Sequence, residues 1–232
     1  MKCVLIIGGN CDIGIALGEY FLNKNFNVVV GYHNNDKKNN KNVEYIKCDV
    51  TSNSDIENII SKTMDMYGKI DILINLACLC MDNSFLDKTK EEFMRVLEVN
   101  LVGTFLCNQI YSKYIDDGLI INMASTDGID TYSEYSIDYS ASKAGIINIS
   151  KSISLCTNNK ILCLCPNWID SDSARGMNEE YLDNELKRIK QNRLIKIDEL
   201  VNSFDKIINS DFNSGDVLRI DIEGDKIWVE RM

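Results

Sequence analysis

The 232-residue chain has one histidine, His33, one proline, Pro166, and two tryptophans. With a single histidine, its nine cysteines lack the partner that zinc sites usually recruit. The pairs Cys78-x-Cys80 and Cys163-x-Cys165 read as strand positions that share one face and fill the core, so no metal site is expected. An odd thiol count argues against a secreted disulfide framework and for a reducing compartment. No apolar stretch approaches a membrane span. The run after Met1 and Lys2 ends at Gly8 and Gly9, too short for a signal-peptide core. There is no internal repeat and no low-complexity linker; the polar run Asn34–Asn42 reads as an exposed loop. Basic residues are also scarce, 25 Lys and Arg against 35 Asp and Glu, for a net charge of −10. Such a field repels nucleic acid and anionic membranes. The expectation is a soluble, cytoplasmic protein with neither as partner.

The composition is otherwise that of an ordinary globular protein, 45% hydrophobic and 26% charged. Its length suits one α/β domain spanning residues 1–232. Short apolar runs read as strands at Cys3–Ile7, Asn27–Tyr32, Val43–Lys47, Ile70–Asn75, Leu119–Met123, Ile161–Cys165 and Val217–Ile222. Amphipathic stretches read as helices at Ile13–Asn23, Asp55–Tyr67 (capped by Ser52 or Ser54), Tyr139–Cys156, Glu179–Gln191 and Ile197–Asn209. A longer helical region, Lys88–Asp116, is broken near Asn100 and Gly103. Strands alternating with helices predict a doubly wound parallel sheet, a Rossmann fold of about seven strands with helices on both faces. Ligands of such sheets sit beyond the carboxyl ends of the strands.

Three strand ends carry candidate chemistry. After the first, Gly8-Gly9-Asn10-Cys11-Asp12-Ile13-Gly14 opens a helix, where glycine permits a tight turn and free N–H groups attract phosphate. Asp12 stands where a small residue is expected; its carboxylate is predicted to cap the helix rather than face a phosphate. After the fifth, Ser125 precedes Tyr139-Ser140-Ala141-Ser142-Lys143. Residues four apart share a helical face, and a nearby ammonium lowers a phenol's pKa. By itself the pair also fits a surface tyrosine and a solvated lysine; its coincidence with the glycine turn, Asn100 and Ser125 favours acid/base work. After the second strand, Gly31-Tyr32-His33-Asn34 offers no acid for ribose hydroxyls, whereas His33, Lys37 and Lys38 suit a 2′-phosphate. An ordinary polar loop is the competing meaning. The reading favours NADP(H) over NAD(H).

At these positions the sequence resembles the short-chain dehydrogenase/reductase family, over nearly its whole length and most of all the 3-oxoacyl-acyl-carrier-protein reductase type. The resemblance implies that Asn100, Ser125, Tyr139 and Lys143 are catalytic. Tyr139 would protonate a carbonyl oxygen as hydride arrives, Ser125 would bond that oxygen, Lys143 would bind ribose and lower the tyrosine pKa, and Asn100 would hold a relay water. It implies cofactor contacts at Gly8, Asn10, Asp12, Ile13, Gly14, His33, Asp49, Val50, Asn75, Ala77, Tyr139, Lys143, Pro166, Trp168, Ile169 and Ser171, with Asp49 holding the adenine ring. Asp12, Leu76, Cys78 and Asn167 depart from the family pattern. Asparagine tolerates a left-handed backbone, so the turn at Asn167 is expected to survive.

The expected substrate is a small carbonyl or alcohol, carried or not as a thioester, selected by Ala77–Phe85, Asp127–Asp138 and a lid near 171–195. Met177, Tyr181 and Leu182 would line its pocket, unless they only form a lid's apolar underside. Arg175, Lys187, Arg188 and Lys190 form either a solvated face or a landing for an acidic carrier. A homo-oligomer, dimer or tetramer, is expected through the two long helices. The competing functions are a non-catalytic redox sensor on the same fold and an epimerase or dehydratase. The sensor has no need of the proton relay. The epimerase usually needs a larger carboxyl-terminal domain than the about 90 residues after Tyr139.

Overall fold

Val4 and Ile6 pack into one apolar layer while Cys3, Leu5 and Ile7 pack into another. This alternation, in a strand buried at all five positions, requires helices on both sides. The computed structural model describes residues 1–34 and 40–232. Asp36, Lys37 and Lys38, and with them two of the expected 2′-phosphate contacts, lie outside the described residues.

The strands are β1 (Cys3–Ile7), β2 (Asn27–Tyr32), β3 (Val43–Lys47), β4 (Ile72–Asn75), β5 (Leu119–Met123), β6 (Lys160–Pro166), β7 (Asp216–Glu223) and β8 (Lys226–Arg231). They form one sheet in the order β3-β2-β1-β4-β5-β6-β7-β8. The first seven strands pair in parallel and β8 pairs antiparallel to β7. The expectation of seven strands falls one short. Lys226–Arg231 has no buried position and gives no core signal in the sequence; a turn with Gly224 at φ 60° folds it back onto β7.

The helices are α1 (Asp12–Asn23), α2 (Asn53–Tyr67), α3 (Lys90–Leu97), α4 (Gly103–Tyr114), α5 (Ile137–Ile153), α6 (Asp172–Arg175), α7 (Glu179–Arg188) and α8 (Ile197–Ile208). Leu17 and Phe21 of α1 and Leu200 and Phe204 of α8 cover one face. Ile56, Ile59 and Ile60 of α2 with Cys107, Ile110 and Tyr111 of α4 cover the other. Ile146 of α5 seals Cys163 and Cys165 of β6. Ser52 caps α2, accepting from the Asp55 N–H. The expected break in the long helical region is a widened π turn, Glu98–Val102, between α3 and α4. Gly103 follows because a Cβ there would lie 2.8 Å from Val50 Cγ2. No helix among the described residues is long and apolar enough to cross a membrane.

One thiol pair is not where the alternating pattern put it. Cys163 and Cys165 are buried in β6, but Cys78 and Cys80 are exposed on the loop that follows β4. That strand ends at Asn75 because the chain must pass against the turn after β1.

Candidate active site

The sheet reverses its winding between β1 and β4, the switch point beyond whose strand ends open α/β sheets take up their ligands. Gly8 begins its wall with φ 74°, and a Cβ there would fall 2.5 Å from both Cα and N of Ala77. A Cβ on Gly14 would fall 2.2 Å from the Gly9 carbonyl oxygen. Glycine is therefore required at both positions, and turn, loop and helix touch backbone to backbone. Cys11 at the N-cap of α1 makes no side-chain cap hydrogen bond. Asn10 and Ile13 are half-buried beside it.

Asp12 does not cap α1, contrary to the sequence expectation. Its Oδ2 accepts from the Asp172 N–H at 2.8 Å and from Arg175 Nη2 at 2.5 Å, two groups more than 150 residues along the chain. The carboxylate is turned toward α6, where a guanidinium and an N–H outcompete its own helix.

Asn75 ends β4 with Oδ1 buried and without a hydrogen-bond partner among the described residues, while its Nδ2 donates to Asn122 Oδ1 at 2.8 Å. A helix start without a side-chain cap and a cradle that any Cβ would fill suit a phosphate, and the open Asn75 acceptor suits a donor group elsewhere on a dinucleotide. At the far end of the crevice, Asp49 accepts from the Thr51 N–H and hydroxyl at 2.9 and 2.8 Å and pairs with His33 Nε2 at 3.2 Å. Those hydrogen bonds with Thr51, and the charges of His33 and Arg95, hold the Asp49 carboxyl below its ordinary value despite partial burial. Val50 is buried against Gly103.

Ser125, Tyr139 and Lys143 come together at the carboxyl end of β5. The Lys143 ammonium lies 5.3 Å from the centroid of the Tyr139 ring and donates to the Met123 carbonyl at 2.8 Å. The lysine is 3% exposed. Ser125 caps a short turn, accepting from the Asp127 N–H at 3.1 Å, and its hydroxyl lies beside the Tyr139 phenol. The expected lowering of the tyrosine pKa does not prevail here. Burial pushes the phenol well above its ordinary value, nearby Cys78, Asp127 and Cys80 push it further, and Ser125 pulls the other way. Desolvation is the largest of these effects.

Asn100 is fully buried in the π turn. Its Oδ1 accepts from the Leu79 N–H at 2.7 Å, and its Nδ2 donates to the Leu79 carbonyl at 2.9 Å and to Ser142 Oγ at 3.0 Å. The side chain clamps the loop after β4 onto α5.

Pro166 ends β6, and Trp168, Ile169 and Ser171 follow, half-buried along the crevice. Asn167 keeps this turn by a route other than the expected left-handed backbone: among the described residues other than glycine, only Asn25 and Lys190 have positive φ. Instead its side chain accepts from the Trp168 N–H at 2.9 Å and donates to Asp221 Oδ1 at 3.1 Å. Ser171 caps α6.

The three segments expected to select substrate meet. The Asn83 N–H donates to the Tyr135 carbonyl at 2.9 Å, Arg188 Nη2 donates to the Thr131 carbonyl at 3.1 Å, and the rings of Tyr135 and Tyr181 stack edge to face at 5.9 Å. Met177, Tyr181 and Leu182 are half-buried. Of the four lid cations, Arg175 is taken up by Asp12, Asp170 and Asp172 and Arg188 by Glu185, which leaves Lys187 and Lys190 as a solvated face. Among the described residues no group of His, Cys, Asp and Glu can hold a metal.

Sequence reasoning missed three supports: the buried ion pair Lys88–Asp138, the anchor Asp221, and a buried amide network in which Asn108 and Asn122 exchange hydrogen bonds at 2.9 and 3.2 Å. Polar residues inside apolar stretches were the available signal for the network.

A glycine turn at one strand end and a Ser-Tyr-Lys group at another are the arrangement expected of a dinucleotide-dependent oxidoreductase. The chain belongs to the short chain dehydrogenase family, which it matches over residues 2–182. Its members are NAD(P)-dependent oxidoreductases. It is similar to the 3-oxoacyl-[acyl-carrier-protein] reductase FabG of Chlamydia muridarum, with 26% identity covering 95% of this chain and 96% of that one. Its fold is similar to a short-chain dehydrogenase/reductase from Serratia marcescens (TM-score 0.85, 20% identity, 95% and 96% of the two chains). It is also similar to a single-substitution variant of actinorhodin polyketide ketoreductase solved with NADPH (TM-score 0.84, 22% identity, 94% and 95%).

Proposed function

We propose that this enzyme reduces a small carbonyl compound, or oxidises the corresponding alcohol, with Tyr139 as the proton donor and acceptor at the reacting oxygen. The observation that carries the reading is the buried Lys143 ammonium 5.3 Å from the Tyr139 ring centroid, beside Ser125 and at the mouth of the crevice. The bound dinucleotide supplies or accepts the hydride. The N–H groups at the start of α1, framed by Gly8, Asn10, Asp12, Ile13 and Gly14, hold its pyrophosphate. His33, Asp49 and Val50 hold the adenosine end. Asn75, Ala77, Pro166, Trp168, Ile169 and Ser171 line the path to the nicotinamide, and Lys143 binds the adjoining ribose.

In the reducing direction the Tyr139 hydroxyl gives its proton to the carbonyl oxygen as carbon gains hydride, and the product is an alcohol. Ser125 donates a hydrogen bond to the same oxygen and stabilises the charge that develops on it. A phenol kept protonated by burial suits the donor role; positive charge brought close on cofactor binding favours the reverse. Asn100, whose side chain binds Leu79 and Ser142, would hold the water that relays the proton between Lys143 and solvent.

NADP(H) is favoured over NAD(H), since Gly31–Asn34 brings no acid to the end of β2 and His33 brings a basic group. A free carbonyl compound is favoured over a carrier-bound thioester because Arg175 and Arg188 already serve carboxylates of this chain. Nine free thiols support a cytoplasmic location. Exposed Met94, Val102, Phe105 and Tyr114 on α3, the π turn and α4 support a homodimer or homotetramer through that face.

The test is NADPH oxidation with a panel of ketones, acetoacetyl thioesters and quinones, run beside Tyr139→Phe. Turnover abolished by the substitution supports the reading. NADPH binding without turnover on any compound supports the redox sensor instead.

A further inference from the structure

Lys88 and Asp138 form an ion pair out of reach of water, Nζ to Oδ2 3.0 Å, with side chains 3% and 0% exposed. Removing two charges from water costs about what their attraction returns, so an apolar pair of similar volume would stabilise the fold as well. Stability does not account for the pair; its connections do. Asp138 is the second residue of α5, and its Oδ1 accepts from the Tyr139 N–H at 3.0 Å. The same Lys88 ammonium donates to the Met81 carbonyl. Lys88 directly precedes Thr89, the N-cap of α3.

The loop between β4 and α3 is therefore tied to α5 at two points. Asn100 links Leu79 to Ser142, and Lys88 links Met81 to Asp138. On the same loop segment lie the exposed thiols of Cys78 and Cys80. Through the two ties residues 79–81 are held against the first turns of α5, the helix that carries Tyr139.

We propose that Lys88 and Asp138 are positioning residues whose buried pair sets the separation between the wall at residues 78–81 and the Tyr139 hydroxyl, and so the width of the slot that receives the carbonyl group. The inference rests on the reading of Tyr139 as proton donor. Neither residue touches substrate. Their effect falls on turnover, because reactive geometry is sensitive to displacements on the order of 1 Å. Dinucleotide affinity is spared, since the Gly8–Gly14 turn meets this loop at Ala77, ahead of both ties.

The test uses Lys88→Met, Asp138→Asn and the double variant; the amide that Asp138→Asn introduces keeps an acceptor for the Tyr139 N–H. Thermal midpoint, NADPH affinity, and kcat and KM on a carbonyl compound from the panel are measured together. Lys88→Met alone strands a buried carboxylate and lowers the midpoint. The double variant recovers the midpoint while kcat stays about tenfold or more below the parent and NADPH affinity stays within about twofold. Recovery of kcat along with the midpoint overturns the proposal. A second arm needs no turnover: alkylation of Cys78 and Cys80 by iodoacetamide. Release of the wall raises their labelling about threefold or more in the double variant. Unchanged labelling overturns the proposal, whereas absence of turnover in the parent chain overturns the reading of Tyr139 and leaves this arm to decide the pair.

Discussion

Asp12 Oδ2 receives Arg175 Nη2 at 2.5 Å, so the glycine turn after β1 is joined directly to α6. Arg175 is about half exposed, so solvent screens the pair and leaves it weak. Asp12→Asn should therefore raise the frequency of lid opening by about two- to fivefold. Tryptic cleavage after Arg175, followed over time by mass spectrometry, measures it. Cleavage at the parent rate would show that the lid is held elsewhere.

Tyr139→Phe removes one hydroxyl and nothing else. Loss of a general acid lowers kcat by about 10²–10⁴-fold. NADPH titration of the same variant should return the parent affinity, because the ring stays against Lys143.

Asp127 is 7% exposed, and burial raises its carboxyl pKa although Thr131, Arg188 and Lys143 pull it down. A carboxylate whose folded pKa lies above its unfolded value opposes folding once pH exceeds that value. Asp127→Asn should raise the thermal midpoint at pH 7, and the gain should shrink as pH falls toward the ordinary carboxylate range. The substitution also removes a negative charge that pushes the Tyr139 phenol up. The alkaline limb of kcat/KM should move to lower pH. Calorimetry across pH and a pH–rate profile check the two halves separately.

Two glycines of the same region should respond in opposite ways. Gly18 lies inside α1, where a Cβ meets only Val28 Cγ1 at 3.8 Å, ordinary contact. Gly18→Ala should stabilise the fold by about 0.5–1 kcal/mol. Gly8→Ala meets backbone at 2.5 Å with φ 74° and should cost more than about 1 kcal/mol and weaken NADPH binding. Denaturant melts of both variants give the comparison.

His33 Nε2 lies 3.2 Å from Asp49 at the end of the crevice. His33→Asp supplies the missing acid for ribose hydroxyls and repels a 2′-phosphate. The ratio of kcat/KM for NADPH to that for NADH should fall about tenfold. An unchanged ratio would mean that cofactor choice is made by other residues.

The doubly wound sheet was legible because β1, β2, β4 and β6 are buried runs too short for helices. Ser125, Tyr139 and Lys143 were legible because their spacing places them at one strand end and one helical turn. What escaped is what depends on contacts distant in sequence. Asp12 finds Arg175 163 residues away, and Lys88 finds Asp138 50 away. Local propensity makes Asp12 a cap, and only the folded lid supplies the stronger donor. The phenol's pKa was misjudged for a related reason: spacing reveals the lysine one turn on, but the burial that outweighs it belongs to the assembled cleft.

The eighth strand shields the rest of the sheet. Glu230 stands opposite Arg219 and Lys226 opposite Glu223, and Arg231 Nε binds Asp216 at 3.0 Å. Unlike charges facing one another penalise a one-residue slip. At this end of the sheet the outermost backbone thus belongs to a ribbon studded with ions, and the apolar row of β7 is not offered to a neighbouring molecule as a template for fibrous growth.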